Sequence, residues 1–164
     1  GHARARTLGC RRARMAVSVR EAAIAALHAA LASALASRSP TPQVLRSETV
    51  PQRLPPGGLV VVQDGETAEE AAILSPLRWQ VRHVAEVVVA VPAPTPEARA
   101  ASLDTLLVDV GAAVAADRTL GGAVEWAQPD SPSFDDLEFE GAAPVRGASV
   151  PVSLWFTTAE TPLS

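Results

Sequence analysis

The histidines are the first candidates for chemistry, because imidazole serves both as a metal ligand and as a general base. The sequence has three, His2, His28 and His83. No second histidine or carboxylate lies four residues after His28, which excludes a helical metal pair, and His83 lies in an apolar strand pattern that favours a packed, hydrogen-bonded side chain. A metal site needs three or four convergent ligands, and no spacing in the sequence supplies them. We therefore expect no metal and no cofactor.

The serines and the single cysteine lack the sequence context of a nucleophile. No serine lies in a G-x-S-x-G elbow, although the fold alone can assemble a Ser–His–Asp triad. Cys10 lies in a basic segment and has no partner for an internal disulfide. The pairs Gly57-Gly58 and Gly121-Gly122 match no phosphate-binding pattern and are typical of turns with positive φ. The sequence therefore predicts a protein without catalytic activity.

Four carboxylates, those of Asp135, Asp136, Glu138 and Glu140, lie close together around Phe134. Carboxylate oxygens are ligands for calcium, but their spacing here differs from that of a calcium-binding loop. A solvated acidic loop, or one that faces a basic neighbouring subunit, explains the cluster better.

Every basic residue of the chain is arginine, and five of them lie in residues 1–14, which contain no acidic residue. The sequence opens on Gly1, and Met15 directly precedes an amphipathic segment. We therefore expect 1–14 to be a basic leader that is disordered or non-native; a basic arm for nucleic acid is the alternative. Without these arginines the formal net charge of −4 falls by five, to −9. A body this acidic binds nucleic acid poorly, because phosphate contacts supply most of that affinity.

Residues 15–164 predict one α+β domain. Ser18 and Glu21 form the pattern of a capping box at the start of a helix of about 20 residues. Pro96 opens a second helix that ends near Asp117. Strands are predicted at 59–62, 79–91, 123–128 and 148–158, with a weak extended segment at 44–56, a loop or single helical turn at 67–75 and a loop-rich stretch at 129–144. This order predicts a mainly antiparallel sheet of four to five strands, with both helices packed on one face.

Two strands have features that bear on assembly. The strand over 79–91 is the clearest, because apolar residues and His83 alternate with polar ones along its first half. At about 13 residues it is long for a globular strand, and such a strand often extends into an interface. Pro151 places the last strand at a sheet edge or at a bulge.

No segment predicts a membrane span or a secretory signal. The longest apolar run, from Val84 to Val91, is interrupted by Glu86 and is far shorter than the roughly 20 residues that a span needs. The apolar core of a signal peptide is also missing. We therefore expect a cytoplasmic protein.

Four segments carry a resemblance to a known family. They are the opening helix Val19–Leu35, RHVAEVVVAV at 82–91, LDTLLVDVGAAVAADRTLGGAVEWAQ at 103–128, and ASVPVSLWFTT at 148–158. In their order, and in the T-L-G-G step from helix to strand, the sequence resembles the tail terminator (tail completion) proteins of long-tailed phages, prophages and phage-like gene transfer agents. The resemblance covers about residues 17–160.

The resemblance implies a structural protein without catalytic activity. Such subunits form a hexameric ring on the head-proximal end of the tail tube, stop tube growth and dock to the filled head through a head-completion or neck protein. DNA passes through the channel without specific binding, and the subunit stays in the cytoplasm until it joins the particle.

We expect the subunit interface at exposed aromatics beside charges, a composition that suits interface cores. The residues are Trp79, Arg82, Glu86, Trp126, Phe134, Asp135, Asp136, Glu138 and Glu140. The alternative is that Trp79 and Trp126 belong to the core. Two other functions stay open: another neck, minor tail or head-completion protein, and a small-molecule-binding or enzymatic domain with a pocket lined by His83 and tryptophan.

Overall fold

The computed structural model describes residues 17–46, 54–92, 95–137 and 145–164. The predicted basic leader and the predicted interface residues Glu138 and Glu140 lie outside these ranges. The described elements are helices α1 (Val19–Leu35) and α2 (Pro96–Ala116), a 3₁₀ turn (Leu120–Gly122), and strands β1 (Gln43–Arg46), β2 (Leu59–Ile73), β3 (Arg78–Ala90), β4 (Trp126–Pro129), β5 (Ser133–Leu137) and β6 (Val145–Ala159).

Helix α1 begins where the sequence predicts. The Ser18 hydroxyl accepts a hydrogen bond from the backbone N–H of Glu21 at 3.1 Å, which satisfies one of the donors that a helix N-terminus leaves free. The alanine-rich sequence favours helix, and a stripe of larger side chains is buried on one side: Ile24, Leu27, Leu31 and Leu35. The first half of the predicted capping box is therefore confirmed.

The Glu21 carboxylate ties α1 to β1 through Arg46. The two Arg46 nitrogens Nη1 and Nη2 donate to Oε1 and Oε2 at 2.5 and 2.6 Å, the paired geometry in which arginine binds carboxylates best. Hydrogen bonding to Arg46 holds the pKa of Glu21 below its ordinary value, and the same bond raises the pKa of Arg46.

Replacing Glu21 with glutamine is expected to lower the free energy of unfolding at pH 7 by up to about 1 kcal/mol, because the carboxylate is partly exposed. The folded-state pKa lies below the unfolded value of about 4.3. The stabilisation is therefore complete above the unfolded pKa and is lost as the pH falls through the folded one. Urea unfolding of both proteins over this pH range measures the difference, and a difference that persists at the acid end contradicts the assignment.

Helix α2 is also capped by its own sequence. The Thr95 hydroxyl accepts from the N–H of Ala98 at 3.1 Å, and Pro96 takes the first helical position, where no N–H is needed. The helix ends at Ala116, one residue before the predicted boundary. Among the described helices, none combines the length and apolar character needed to cross a membrane.

The sheet is mixed, with six strands in the order β1-β2-β3-β6-β4 and β5 also paired with β6. Among the described strands, only β1 and β2 run parallel to each other, and the other pairs are antiparallel. The predicted α+β class is confirmed. The predicted count of four to five strands is too low by one strand, β5. Two segments predicted without strands lie in strands: in one of them β2 is longer than predicted, and the other contains β5.

The first of these segments is 67–75, predicted as a loop or a helical turn; this prediction was wrong. Strand β2 continues through it to Ile73, with register shifts against β3 between Gln63 and Glu66 and between Thr67 and Glu69. Gly65 has a φ of +64°, so the D-G-E sequence forms a bulge in the ladder and does not end the strand.

The second segment is 129–144, predicted as loop-rich. Strand β5 lies within it, and Ser133 to Leu137 pair with Ser149 to Val145 of β6. Backbone hydrogen bonds to β6 form this strand despite its polar sequence, since a ladder needs only N–H and C=O groups.

The main core lies between the helices and one face of the sheet. On β3 the buried residues alternate over Val81, His83, Ala85, Val87 and Val89, as the period of two predicts. Their β6 partners Phe156, Leu154, Val152, Val150 and Ala148 share that face, and both helices contribute leucines to the same cluster. We call the opposite side of the sheet the outer face.

Pro151 lies in β6, an inner strand, at the break between β4 and β5. Strand β4 pairs as far as Val152 and β5 begins at Ser149, and the N–H of Asp130 donates to the Pro151 carbonyl at 2.8 Å. The N and C=O of one strand residue point to the same side, so the proline nitrogen faces this break, where no ladder donor is required. Pro151 therefore lies at a local edge, as predicted, although β6 is an internal strand of the sheet.

Candidate interaction surface

A row of large side chains crosses the outer face of the sheet. Glu69 lies opposite Arg82, Arg82 opposite Trp155, and Trp155 opposite Trp126, so the row spans β2, β3, β6 and β4. Directly opposed residues share a face and interact. We call these four residues the Trp row. Trp126 is 47% exposed, which is unusual for so large an aromatic side chain.

Arg82 is the centre of a polar network in this row. Its Nη2 donates to Glu69 Oε1 at 3.1 Å and its Nη1 to Ser153 Oγ at 3.3 Å. The buried Ser153 in turn donates to Asp130 Oδ2 at 3.2 Å. The Glu69 carboxylate therefore holds the guanidinium directly, and the Asp130 carboxylate holds it through the Ser153 hydroxyl of β6. This fixes a charged side chain on the outer face.

Arg118 covers the exposed end of the row. Its guanidinium carbon lies 5.0 Å from the centroid of the Trp126 ring, a cation–π contact worth about 0.5–1 kcal/mol at such a site. The Nη1 nitrogen also donates to the Ala127 carbonyl at 3.1 Å and to Gln128 Oε1 at 2.8 Å. Both acceptors are neutral, so within the described ranges the Arg118 charge has no carboxylate partner.

The T-L-G-G segment places Arg118 beside Trp126. Gly121 and Gly122 have φ values of +71° and +91°, as predicted for turns, and the N–H of Gly121 donates to Asp117 Oδ2 at 2.8 Å. The chain therefore reverses within a few residues of α2 and enters β4 with Trp126 as its first residue.

Glu86 lies on the same face, farther along β3. The Ser149 hydroxyl donates to Glu86 Oε2 at 2.5 Å. A cavity of about 370 Å³ separates this carboxylate from the bulge at Gly65, and a second of about 410 Å³ lies beside Arg82 and Trp155. His83 lines neither of them.

The remaining predicted interface residues lie elsewhere. Trp79 is on the helix side, packed against the core, with its indole N–H donating to the Glu160 carbonyl at 3.2 Å. Phe134 and Asp135 are exposed on β5, at the other end of β6 from Trp126. Asp136 pairs there through its backbone. The structure thus brings Arg82, Glu86 and Trp126 onto one face, places Trp79 on the opposite face, and places Phe134 and Asp135 at the far end of β6.

Two histidines have structural partners. His28 Nε2 lies 3.3 Å from the Val44 carbonyl, which links α1 to β1. His83 is buried, with Nε2 bonded to the Asp64 carbonyl and Nδ1 lying 3.2 Å from the Thr67 hydroxyl. The prediction of a packed, hydrogen-bonded His83 is confirmed. No three His, Cys, Asp or Glu residues in the described ranges are placed to hold a metal ion.

Sequence reasoning missed Trp155, Ser153 and Arg118. A signal existed for the first two, because Val152, Leu154 and Phe156 alternate on the core side and therefore place residues 153 and 155 on the outer face. No local pattern identifies Arg118, since its contact with Trp126 depends on the turn between α2 and β4. In comparisons with known proteins, the sequence matches no family model and no curated protein.

Proposed function

We propose that this chain is a structural subunit that forms a ring on the head-proximal end of a phage-type tail tube. The ring stops tube growth and presents the surface that binds the head through a head-completion or neck protein. The alternative classes differ in the features they require. An enzyme or a small-molecule receptor requires convergent groups in a pocket, whereas a ring subunit requires surfaces for its neighbours.

The observation that carries the proposal is the outer face. Both helices pack on the other side of the sheet, and the outer face holds the Trp row with an exposed Trp126 and a fixed Arg82. Tryptophan and arginine are enriched at protein interfaces and at the residues that dominate their affinity. The element order expected of a tail terminator over 17–160 supports the same function.

The charge distribution suits a channel for DNA. The part of β2 beyond the core exposes carboxylates at Asp64, Glu66, Glu69 and Glu70, and Asp135 is exposed on β5. Acidic surfaces repel phosphates, so DNA slides past them without binding. In the proposed function the chain is cytoplasmic until it joins a phage-like particle, and it binds DNA neither specifically nor tightly.

The proposal predicts that a tail-tube gene lies near the gene for this chain, and the test uses the protein which that gene encodes. Tube protein polymerised alone should give tubes of unlimited length. With this chain added, negative-stain electron microscopy should show short tubes that carry a sixfold ring at one end. A matched control adds the same amount of chain after heat denaturation. Tubes of unchanged length without end rings, or a gene neighbourhood without tail genes, would overturn the proposal.

A further inference from the structure

The distal half of β2 has an edge that no described strand covers. Strand β1 pairs with β2 only from Leu59 to Val62, whereas β2 continues to Ile73 with β3 on its other side. Residues 65–73 are all exposed. We call this range the β2 edge. The edge of a sheet accepts a further strand through backbone hydrogen bonds, so the β2 edge is a candidate site for an extended segment.

The charge of the β2 edge limits which strand can pair with it. Pairing all of 65–73 antiparallel with the same edge of a second copy would place the Glu69 residues of the two copies directly opposite each other, and like charges there destabilise the pair. Glu69 is bonded to Arg82, but Glu66 and Glu70 form no ion pair with another described residue. The edge therefore fits a strand that carries cations.

Glu66 and Glu70 lie on opposite faces of the sheet. Glu66 is opposite Val84 on the outer face, and Glu70 is opposite Val81 on the helix side. A strand laid along the edge alternates its side chains between the same two faces. A matching strand therefore needs cations at both odd and even positions.

The basic leader, residues 1–14, has this composition. It contains five arginines, no acidic residue and no proline that would interrupt a ladder. Arg11 and Arg12 are adjacent, so in an extended chain they point to opposite faces. The arginines are Arg4, Arg6, Arg11, Arg12 and Arg14.

The direction of α1 brings the leader to the β2 edge. Glu21 in the first turn of α1 bonds to Arg46 at the end of β1, and His28, two turns later, contacts the Val44 carbonyl. Helix α1 therefore runs antiparallel to β1, which is itself parallel to β2. The chain that precedes α1 thus leaves in the direction in which β2 continues beyond Val62.

The leader is also long enough to cover this edge. At about 3.3 Å per residue, an extended chain of 14 residues spans roughly 46 Å, whereas the β2 edge needs roughly 30 Å. The segment joined to α1 therefore matches the edge in charge, in direction and in length.

We propose that the basic leader pairs with the β2 edge of its own chain, antiparallel to β2, with arginines beside Glu66 and Glu70. The leader then covers an edge that would otherwise pair with other chains. Attachment to α1 favours the contact through a high effective concentration, although each exposed ion pair is weak. The inference concerns the free subunit and does not depend on the proposed ring, whose assembly can displace the leader and expose the carboxylates.

The first test is hydrogen exchange of the full chain and of a chain that begins at Met15. The amides of 65–73 should exchange about tenfold faster without the leader, because an unpaired strand edge opens readily. A full-length chain with all five leader arginines replaced by glutamine should behave like the shortened one. The protection should fall in 1 M salt, where charges are screened beyond about 3 Å.

Charge reversal gives a second test that a folding defect cannot imitate. Replacing both Glu66 and Glu70 with arginine should remove the protection, and so should replacing the five leader arginines with glutamate. Combining the two sets should restore it, because the pairs are re-formed with opposite polarity. The matched control is Glu97→Arg with Asp104→Arg, which makes the same charge change at exposed positions of α2 and should leave the protection unchanged.

Each other outcome decides the question. Equal exchange with and without the leader, or a combined variant no better than its two parents, overturns the pairing. Protection that rises with protein concentration places the leader on another copy and contradicts pairing within one chain. Leader-dependent binding of a DNA duplex without protection of 65–73 makes the leader a nucleic-acid arm. If the protection is found but the chain does not stop a tube, this inference stands and the proposed function fails; the reverse result removes only the inference.

Discussion

Replacing Gly65 with alanine is expected to lower the free energy of unfolding by about 3 kcal/mol, one of the largest effects of any single methyl group in this chain. A Cβ atom at this position would lie 1.8 Å from the Val84 carbonyl oxygen and 3.0 Å from Ala85 Cα. Both atoms belong to the backbone of β3, which is paired on its other side with β6. They cannot move without disturbing two ladders. The φ of +64° adds strain of about 1–2 kcal/mol for any residue with a side chain.

The matched control for Gly65 is Gly121→Ala. Gly121 has a similar φ of +71°, but an added Cβ would meet no atom within 4 Å. Only the conformational strain remains, so the expected loss is about 1 kcal/mol. Urea unfolding of the two variants separates steric overlap from strain. Equal losses would contradict the close approach of the bulge to β3.

The bulge at Gly65, together with the second register shift between Thr67 and Glu69, also sets the register of the distal half of β2. From Glu69 to Ile73 the strand pairs without interruption with Arg82 to Arg78. A slip of one residue would move each side chain to the other face. It would take Glu69 away from Arg82 and turn Ile73 away from the outer face. Hydrogen exchange of the amides over 69–73 should therefore accelerate more in Gly65→Ala than in Gly121→Ala.

The sequence predicts an element well where its determinants are local. Ser18 and Thr95 begin helices through their own side chains, and alternation along β3 identifies its buried face. The distal half of β2 has no such signal, since its residues are charged or small and its hydrogen bonds come from β3. The D-G-E sequence is equally compatible with a turn and with a bulge, and only the partner strand decides between them.

The positions of the candidate surface residues were predictable to a similar extent. Trp126 and Arg82 were expected at an interface, and they share the outer face. Trp79 has the same side chain as Trp126. It lies three residues before Arg82 in β3, so its side chain points to the opposite face of the sheet and packs on the helix side. Which residues of one strand share a face can be read from the sequence, because side chains alternate between the two faces. Which strands lie side by side cannot, because that depends on pairing between residues distant in the chain.

Replacing Leu106 with alanine is expected to cost about 2–5 kcal/mol, because its side chain is fully buried and the cavity left behind cannot close completely. Leu106 lies on the inner side of α2, close enough to the start of β2 that a Cβ on Gly58 would lie 3.4 Å from its Cδ2 atom. The helix it anchors leads directly into the turn that carries Arg118.

The matched control for Leu106 lies two residues away on the same helix. Val108 is 61% exposed, so Val108→Ala should change the free energy of unfolding by no more than about 0.5 kcal/mol. Thermal and urea unfolding measure both variants. If Leu106→Ala cost no more than Val108→Ala, α2 would not be packed on the sheet as described.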